Sequence, residues 1–279
     1  KVSLSDLNGT WRLVDLNSHT EPALPDVEVT LQIADGQISG SAGCNSYNAA
    51  LSGTGPLLKT GGGVLTLGGT NTYTSSTLIN QGTLALGASG SINNSSSIIV
   101  GSNTVFDVSA VTGGYVVPAT KTLGGWGSVN GSVSIASGGI VDPGTNSSYG
   151  TLTFSNSVTE TGSGKTFFDL SVNPAGPTND LIVVNGDLNV SGVSNIIQIA
   201  GGGPIGSVHP LIQYYGNFNG DLTNFALVGA TGVLTNITST TPKSIALRVQ
   251  ATVRAATNVV WVGNGVANTW NTVGATNWL

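Results

Sequence analysis

Three aspartates, Asp169, Asp180 and Asp187, are the nearest approach to an acid cluster in this sequence. Enzymes that cleave glycans need acids on one face, either flanking the glycosidic bond or holding calcium beside a basic residue. Asp180 and Asp187 each follow an Asn or a Gly at the edge of a predicted strand, where Asp side chains commonly cap turns. A turn-capping role is therefore favoured over catalysis, and no catalytic residue is predicted.

Other residues that could carry chemistry are few. His19 lies in a predicted loop and His209 precedes Pro210, so each is predicted to be a solvent or turn residue. No Ser or Cys nucleophile motif accompanies them. Cys44 is the single cysteine, which excludes an internal disulfide and a cysteine-based zinc site. We predict no cofactor-binding residue, no cofactor and no metal site.

The Gly-rich stretches at 61–63 and 201–203 are predicted to be corners of the chain, because neither carries the Lys-Ser/Thr pair of a phosphate-binding loop. Several tryptophans could form a strip on which sugars stack, although packing in the core or at a coil end is favoured. These tryptophans are Trp126, Trp261, Trp270 and Trp278.

The composition restricts the class of protein. Only 8% of the residues are charged, against about 25% in ordinary domains, while Gly accounts for 41 residues. The net charge of -5 and eight scattered Lys and Arg residues argue against a nucleic-acid partner. A hydrophobic content of 39% is enough for a core, which argues against disorder. No apolar run approaches the roughly 18 residues of a membrane span, and without a signal peptide at Lys1 the chain reads as a mature or trimmed product.

Short runs of alternating apolar and small polar residues predict half-buried β-strands, and no run has a helical period. Gly-rich corners at regular intervals favour coils stacked on one another over a β-sandwich, since each short strand then buries its apolar face against its neighbours. We predict an all-β fold, a right-handed parallel β-helix (β-solenoid) with a small N-terminal β segment. The predicted strands are 64–67, 83–86, 97–100, 105–108, 132–135, 151–154, 166–170, 181–184, 195–199, 211–215 and 225–228.

Acidic residues mark a domain boundary, because six of the 13 lie in the first fifty residues. Turn residues between Leu51 and Pro56 supply the junction. The predicted division is a first segment at 1–52, a β-solenoid at 53–254 and the start of a further repeat unit at 255–279.

The runs GGVLTLGGTNTYT at 62–74 and TLINQGTLALG at 77–87 closely resemble the autotransporter-associated β-strand repeat. The runs NDLIVVNGDL at 179–188 and PLIQYY at 210–215 are similar to later coils of the same bacterial surface proteins, and the Trp-rich end at 261–279 resembles the opening of another unit. The resemblance covers roughly residues 55–279. It implies a secreted, β-helical protein without assigning a ligand.

The first segment has a different resemblance. LNGTWRLV at 7–14 and ISGSAGCNSY at 38–47 resemble the first half of a META domain, a family of bacterial envelope proteins. The second half of that domain is missing, so residues 1–52 are expected to be a half-domain, either capping the solenoid or joined to it by fusion.

These observations predict a non-catalytic structural or adhesive module that is secreted or lies on the bacterial cell surface. Surface glycans or neighbouring surface proteins are the expected partners, with no nucleic acid and no membrane span in the chain. The alternative is a carbohydrate-active β-helix enzyme, a glycan lyase or hydrolase. Three or more acids converging in one groove would favour the enzyme, and dispersed acids would favour the adhesive module.

Overall fold

The chain folds into stacked coils of β-strands. A computed structural model describes residues 54–145, 148–174 and 178–251, together with the backbone of four earlier strands. Those four strands are Gly9–Arg12 (β1), Thr30–Ala34 (β2), Gln37–Ser41 (β3) and Asn45–Tyr47 (β4). Within the described residues the one helical element is a 3-10 turn at Leu222–Asn224.

Sheet A begins with an antiparallel meander of β1, β2 and β3, and then continues with parallel strands, one from each successive coil. These further strands are Leu57–Lys59 (β5), Thr77–Ile79 (β7), Ser97–Val100 (β9), Thr122–Gly125 (β12), Ile140–Pro143 (β15), Lys165–Leu170 (β18), Asn195–Gly201 (β21) and Phe225–Val228 (β24).

The first eight strands of sheet B, beginning with β4, pair in parallel, and the sheet ends in an antiparallel hairpin. The parallel strands after β4 are Val64–Leu67 (β6), Thr83–Leu86 (β8), Val105–Asp107 (β10), Ser128–Asn130 (β13), Thr151–Phe154 (β16), Leu181–Val184 (β19) and Val208–Tyr214 (β22). The hairpin consists of Gly232–Ile237 (β25) and Lys243–Val249 (β26), and β26 pairs with β22.

Sheet C starts only with the coil that contains β9 and β10, and all of its strand pairs are parallel. From that coil onward the chain passes through sheets A, B and C in turn. The strands of sheet C are Tyr115–Val117 (β11), Val133–Ile135 (β14), Val158–Glu160 (β17), Leu188–Val190 (β20) and Phe218–Asn219 (β23).

This architecture confirms the predicted parallel β-solenoid and excludes the sandwich alternative. The core is a set of inward side chains that repeat from coil to coil in register, each contributing about 1.5 to 3 kcal/mol by burial. Leu84, Leu86 and Ile182 are buried in this core, whereas Leu65, in an early coil, is only partly buried and packs against it. One such ladder in sheet B runs through Leu65, Leu84, Phe106, Val129, Phe154, Val184 and Tyr214.

The corner motif at 68–74 joins neighbouring coils through inward polar side chains. The Asn71 side-chain amide donates to the carbonyls of Gly69 and Ser91 at 2.9 and 3.0 Å. The hydroxyls of buried Tyr73 and Thr77 lie 2.9 Å apart. Because these buried groups have partners, the motif closes the corner without leaving polar atoms unsatisfied.

Glycine is required where the chain leaves sheet A. Gly125 and Gly201 have φ values of 114° and 79°, which side chains rarely adopt. A Cβ at Gly125 would lie 2.2 Å from the Val100 carbonyl oxygen, and one at Gly201 would lie 2.1 Å from that of Leu170. These corners therefore depend on close approach of successive backbones.

Candidate functional site: a groove on the outer face of sheet A

A groove of about 300 Å³ lies on the outer face of sheet A. Its walls come from four successive coils, because β12, β15, β18 and β21 are neighbours in the sheet. We call it the sheet A groove, and define it by Thr122, Ile140, Asp142, Phe167, Asp169 and Gln198.

Strand alternation places these side chains on the outside. In β18, Thr166, Phe168 and Leu170 are buried, so the residues between them face outward. Phe167 and Asp169 are therefore neighbours on one face of β18. In the adjacent strand β21 the residue in register with Phe167 is Gln198. The groove thus combines an aromatic ring, a carboxylate and a carboxamide.

The second carboxylate of the groove belongs to Asp142 on β15, the strand beside β18. Within the part of the chain that the structure describes, no hydrogen bond from another residue reaches the carboxylates of Asp142 or Asp169. Burial raises the pKa of Asp142 to about 6, and the nearby charge of Asp169 acts in the same direction. Both groups remain available to a ligand.

Asp180 lies near Asp142 and Asp169 but does not line the groove. Its side chain is fully buried and accepts hydrogen bonds from the backbone N–H groups of Gly150 and Asp169, each at 2.7 Å. Desolvation by burial raises its pKa to about 7. Asp180 therefore fixes the backbone that carries Asp169, and it links two successive coils.

Two exposed aromatic residues stand at the corner between sheets A and B. Trp126 and Tyr149 are 37% and 40% exposed, and the indole N–H of Trp126 donates to the Tyr149 carbonyl oxygen at 2.9 Å. The prediction that Trp126 packs in the core is therefore wrong, because its side chain reaches solvent. The hydrogen bond to Tyr149 fixes the position of the indole ring at the corner. Trp261, Trp270 and Trp278 lie outside the described residues.

The other residues singled out in the sequence lie elsewhere. Asp187 stands between β19 and β20, at the corner of sheets B and C, where its carboxylate accepts from the Asn217 N–H at 2.7 Å. Of the three aspartates singled out in the sequence, only Asp169 lines the groove, because Asp180 is buried and Asp187 lies at another corner. With Asp142, two acids line the groove, fewer than the three that would favour an enzyme. His19 and Cys44 lie outside the described residues.

His209 corrects the prediction of a solvent or turn residue, since it is fully buried in β22. The Gly203 N–H donates to its Nε2 atom at 3.1 Å, so the neutral ring carries its proton on Nδ1. That Nδ1 atom has no hydrogen-bond partner among the described residues, and burial lowers the pKa of the ring. Pro210 does not prevent burial here because β22 continues through it.

Sequence reasoning missed Asp142, Phe167 and Gln198. The alternation in Thr166-Phe167-Phe168-Asp169-Leu170 indicates two outward residues, but only the register between coils shows that Asp142 and Gln198 are their neighbours. The described residues contain no group of three or more His, Cys, Asp or Glu arranged to hold a metal ion. No described helix is long and apolar enough to cross a membrane.

Stacked parallel coils with an open groove on one face define this chain as a parallel β-helical module. Residues 57–86 match the passenger-associated-transport-repeat family, and residues 3–67 match the META domain family. The chain is also 31% identical over 211 residues to the adhesin BmaC autotransporter of Brucella suis biovar 1. That alignment covers 68% of this chain and 5% of the relative.

These matches confirm the resemblance to autotransporter repeat proteins and to the META domain, and they indicate a cell-surface or secreted location. The META match extends past the boundary expected at residue 52 and overlaps the repeat. The backbone agrees with that overlap, because β3 pairs with β5 and β4 pairs with β6 in parallel. The three-part domain division remains a prediction.

Proposed function

We propose that the chain is a non-catalytic adhesive module of a bacterial surface protein, and that the sheet A groove is its binding face. The observation that carries the proposal is the unpaired state of the Asp142 and Asp169 carboxylates beside the ring of Phe167, within the described residues. Both carboxylates belong to half-buried side chains whose oxygens still reach water, so ligand hydroxyls can replace that water and hydrogen-bond to them. A relative named as an adhesin supports the same function.

The solenoid suits this function because it gives the groove a rigid support. Each groove strand is hydrogen-bonded on both sides to strands of neighbouring coils, so the side chains are held in fixed register. Because only 8% of the residues in the chain are charged, its surface contacts depend little on ion pairs that salt would screen.

The test measures attachment of beads coated with the purified chain to a bacterial or host-cell surface. The double variant Asp142→Asn, Asp169→Asn is expected to reduce attachment at least about tenfold, because neutral amides replace two charge-assisted acceptors. The matched control is Asp107→Asn on the outer face of sheet B. Equal attachment of the groove variant, the control and the unmodified chain would contradict the proposal.

Glycoside hydrolysis is the second candidate function. Asp142 and Asp169 lie in one groove, as do the two acids of a glycosidase. With its pKa raised to about 6, Asp142 would be the proton donor, and Asp169 would be the carboxylate partner. Release of reducing ends from oligosaccharides by the unmodified chain, abolished by Asp142→Asn alone, would favour the enzyme over the adhesin.

A further inference from the structure

We infer that the ligand of the sheet A groove is a neutral oligosaccharide, lying along the axis of the solenoid across four coils. The inference rests on the proposed function, because it names the chemical class that the same groove binds.

The aromatic ring supplies one half of the recognition. Phe167 lines the groove and is half-buried, with Asp169 two residues away on the same face of β18. A pyranose ring presents C–H groups on its faces and hydroxyls at its rim. An aromatic side chain can cover such a face and remove apolar area from water.

The polar side chains supply the other half. The carboxylates of Asp142 and Asp169 can each accept hydrogen bonds from hydroxyls, and the Gln198 carboxamide can both donate and accept. Gln198 lies in register with Phe167 on one neighbouring coil, and Asp142 lies on the other. Hydroxyls around a sugar on Phe167 therefore meet acceptors on both sides.

Other ligand classes fit less well. The two carboxylates would repel an anionic polymer. A cationic ligand would be attracted by the two carboxylates and repelled by exposed Lys165, two residues before Phe167 on the outer face of β18, so the polylysine probe below tests that alternative. An extended peptide cannot add a strand here, because β15, β18 and β21 are hydrogen-bonded on both sides within sheet A.

The dimensions also suit a chain of sugars. Thr122 and Gln198 lie on the first and last of four neighbouring strands. Three inter-strand steps of about 4.8 Å separate them, so the groove extends about 14 Å along the axis. That length accommodates a short oligosaccharide rather than a single sugar.

The experiment measures binding of the whole purified chain to an immobilised panel of neutral hexose oligosaccharides, with heparin as the anionic probe and polylysine as the cationic probe. We expect binding to at least one neutral oligosaccharide, with less than a threefold change between low and high salt, because the ligand carries no charge. Phe167→Ala should weaken this binding at least tenfold, whereas Phe167→Trp should retain it. Tyr215→Ala, at an exposed aromatic outside the groove, is the matched control.

Binding only to heparin or polylysine, no binding to any neutral member of the panel, or equal binding by Phe167→Ala overturns the inference. Unfolding midpoints of all variants show whether any loss reflects misfolding. Bead attachment after periodate oxidation of the target surface separates the two proposals. If attachment survives oxidation but still requires Asp142 and Asp169, the adhesive function stands and the oligosaccharide is refuted. If attachment never depends on the groove, both fail.

Discussion

Stability of this protein should decrease as the pH rises through the neutral range, and Glu160 provides the sharpest test. Glu160 is 3% exposed and lies between Ile135 and Val190 in the inward ladder of sheet C. The Thr166 hydroxyl donates to its carboxylate at the long distance of 3.4 Å. Desolvation by burial raises the pKa of Glu160 from 4.5 to about 7, and the hydrogen bond opposes this only in part.

The direction of this pH dependence follows from the number of protons bound in the folded and unfolded states. Between pH 4.5 and about 7 the folded state holds the Glu160 proton while the unfolded state releases it, so the free energy of unfolding falls as the pH rises. At about 1.4 kcal/mol per pKa unit, the loss is about 3 kcal/mol and is complete slightly above pH 7. Below pH 4.5 the contribution is fully present.

The variant Glu160→Gln has a neutral side chain of nearly the same shape at every pH. We expect it to match the unmodified chain in urea unfolding near pH 4.5, and to be more stable by up to about 3 kcal/mol near pH 8. Asp107→Asn, at a half-buried carboxylate that accepts hydrogen bonds from Ser109 and Asn130, is the control for the change from a carboxylate to an amide as such. Parallel profiles for Glu160→Gln and the unmodified chain would refute a buried, neutral Glu160.

Three further changes test other parts of the structure. Leu84→Asp places an unpaired charge in the core and should cost several kcal/mol, so an unchanged melting temperature would refute the inward placement. Asp180→Asn replaces one of the two accepting oxygens by an NH₂ group, which faces the backbone N–H of either Gly150 or Asp169 and cannot accept from it. The free energy of unfolding in urea near pH 8 should fall by about 1 to 3 kcal/mol. An unchanged free energy of unfolding would contradict the bridging role of Asp180. Deletion of residues 1–52 uncovers the edges of β5 and β6, so light scattering should detect self-association and proteolysis should become faster. A truncated chain that stays monomeric and equally resistant to protease would show that the first segment does not cap the solenoid.

Several of the strands with four or more residues were predictable from the sequence. Thr83–Leu86, Thr151–Phe154 and Leu181–Val184 have the predicted bounds, because their apolar residues repeat with a period of two. Three-residue strands such as Val158–Glu160 and Leu188–Val190 were not predicted. Their length is too short for a period, and pairing with neighbouring coils makes them strands.

The groove was predictable only in part. Asp169 and Asp180 were singled out as acids, and the structure brings them together. Asp142 was not, because its approach depends on how many residues each coil contains rather than on local sequence. The hairpin of β25 and β26 was not predicted either. Its strands have the same alternation as a solenoid coil, and only their antiparallel pairing with β22 distinguishes them.

The stacking of the coils has a mechanical consequence. In the later coils, contacts between neighbours join residues 30 apart, as between Ser157 and Asp187. The inter-strand hydrogen bonds point along the axis of the rod, so tension on the two ends of the chain loads the bonds of one terminal coil at a time. Each coil that detaches would release about 30 residues, or about 100 Å of extended chain. Under the drag of flowing liquid, such a rod lengthens in steps and dissipates force while the remaining coils keep their shape.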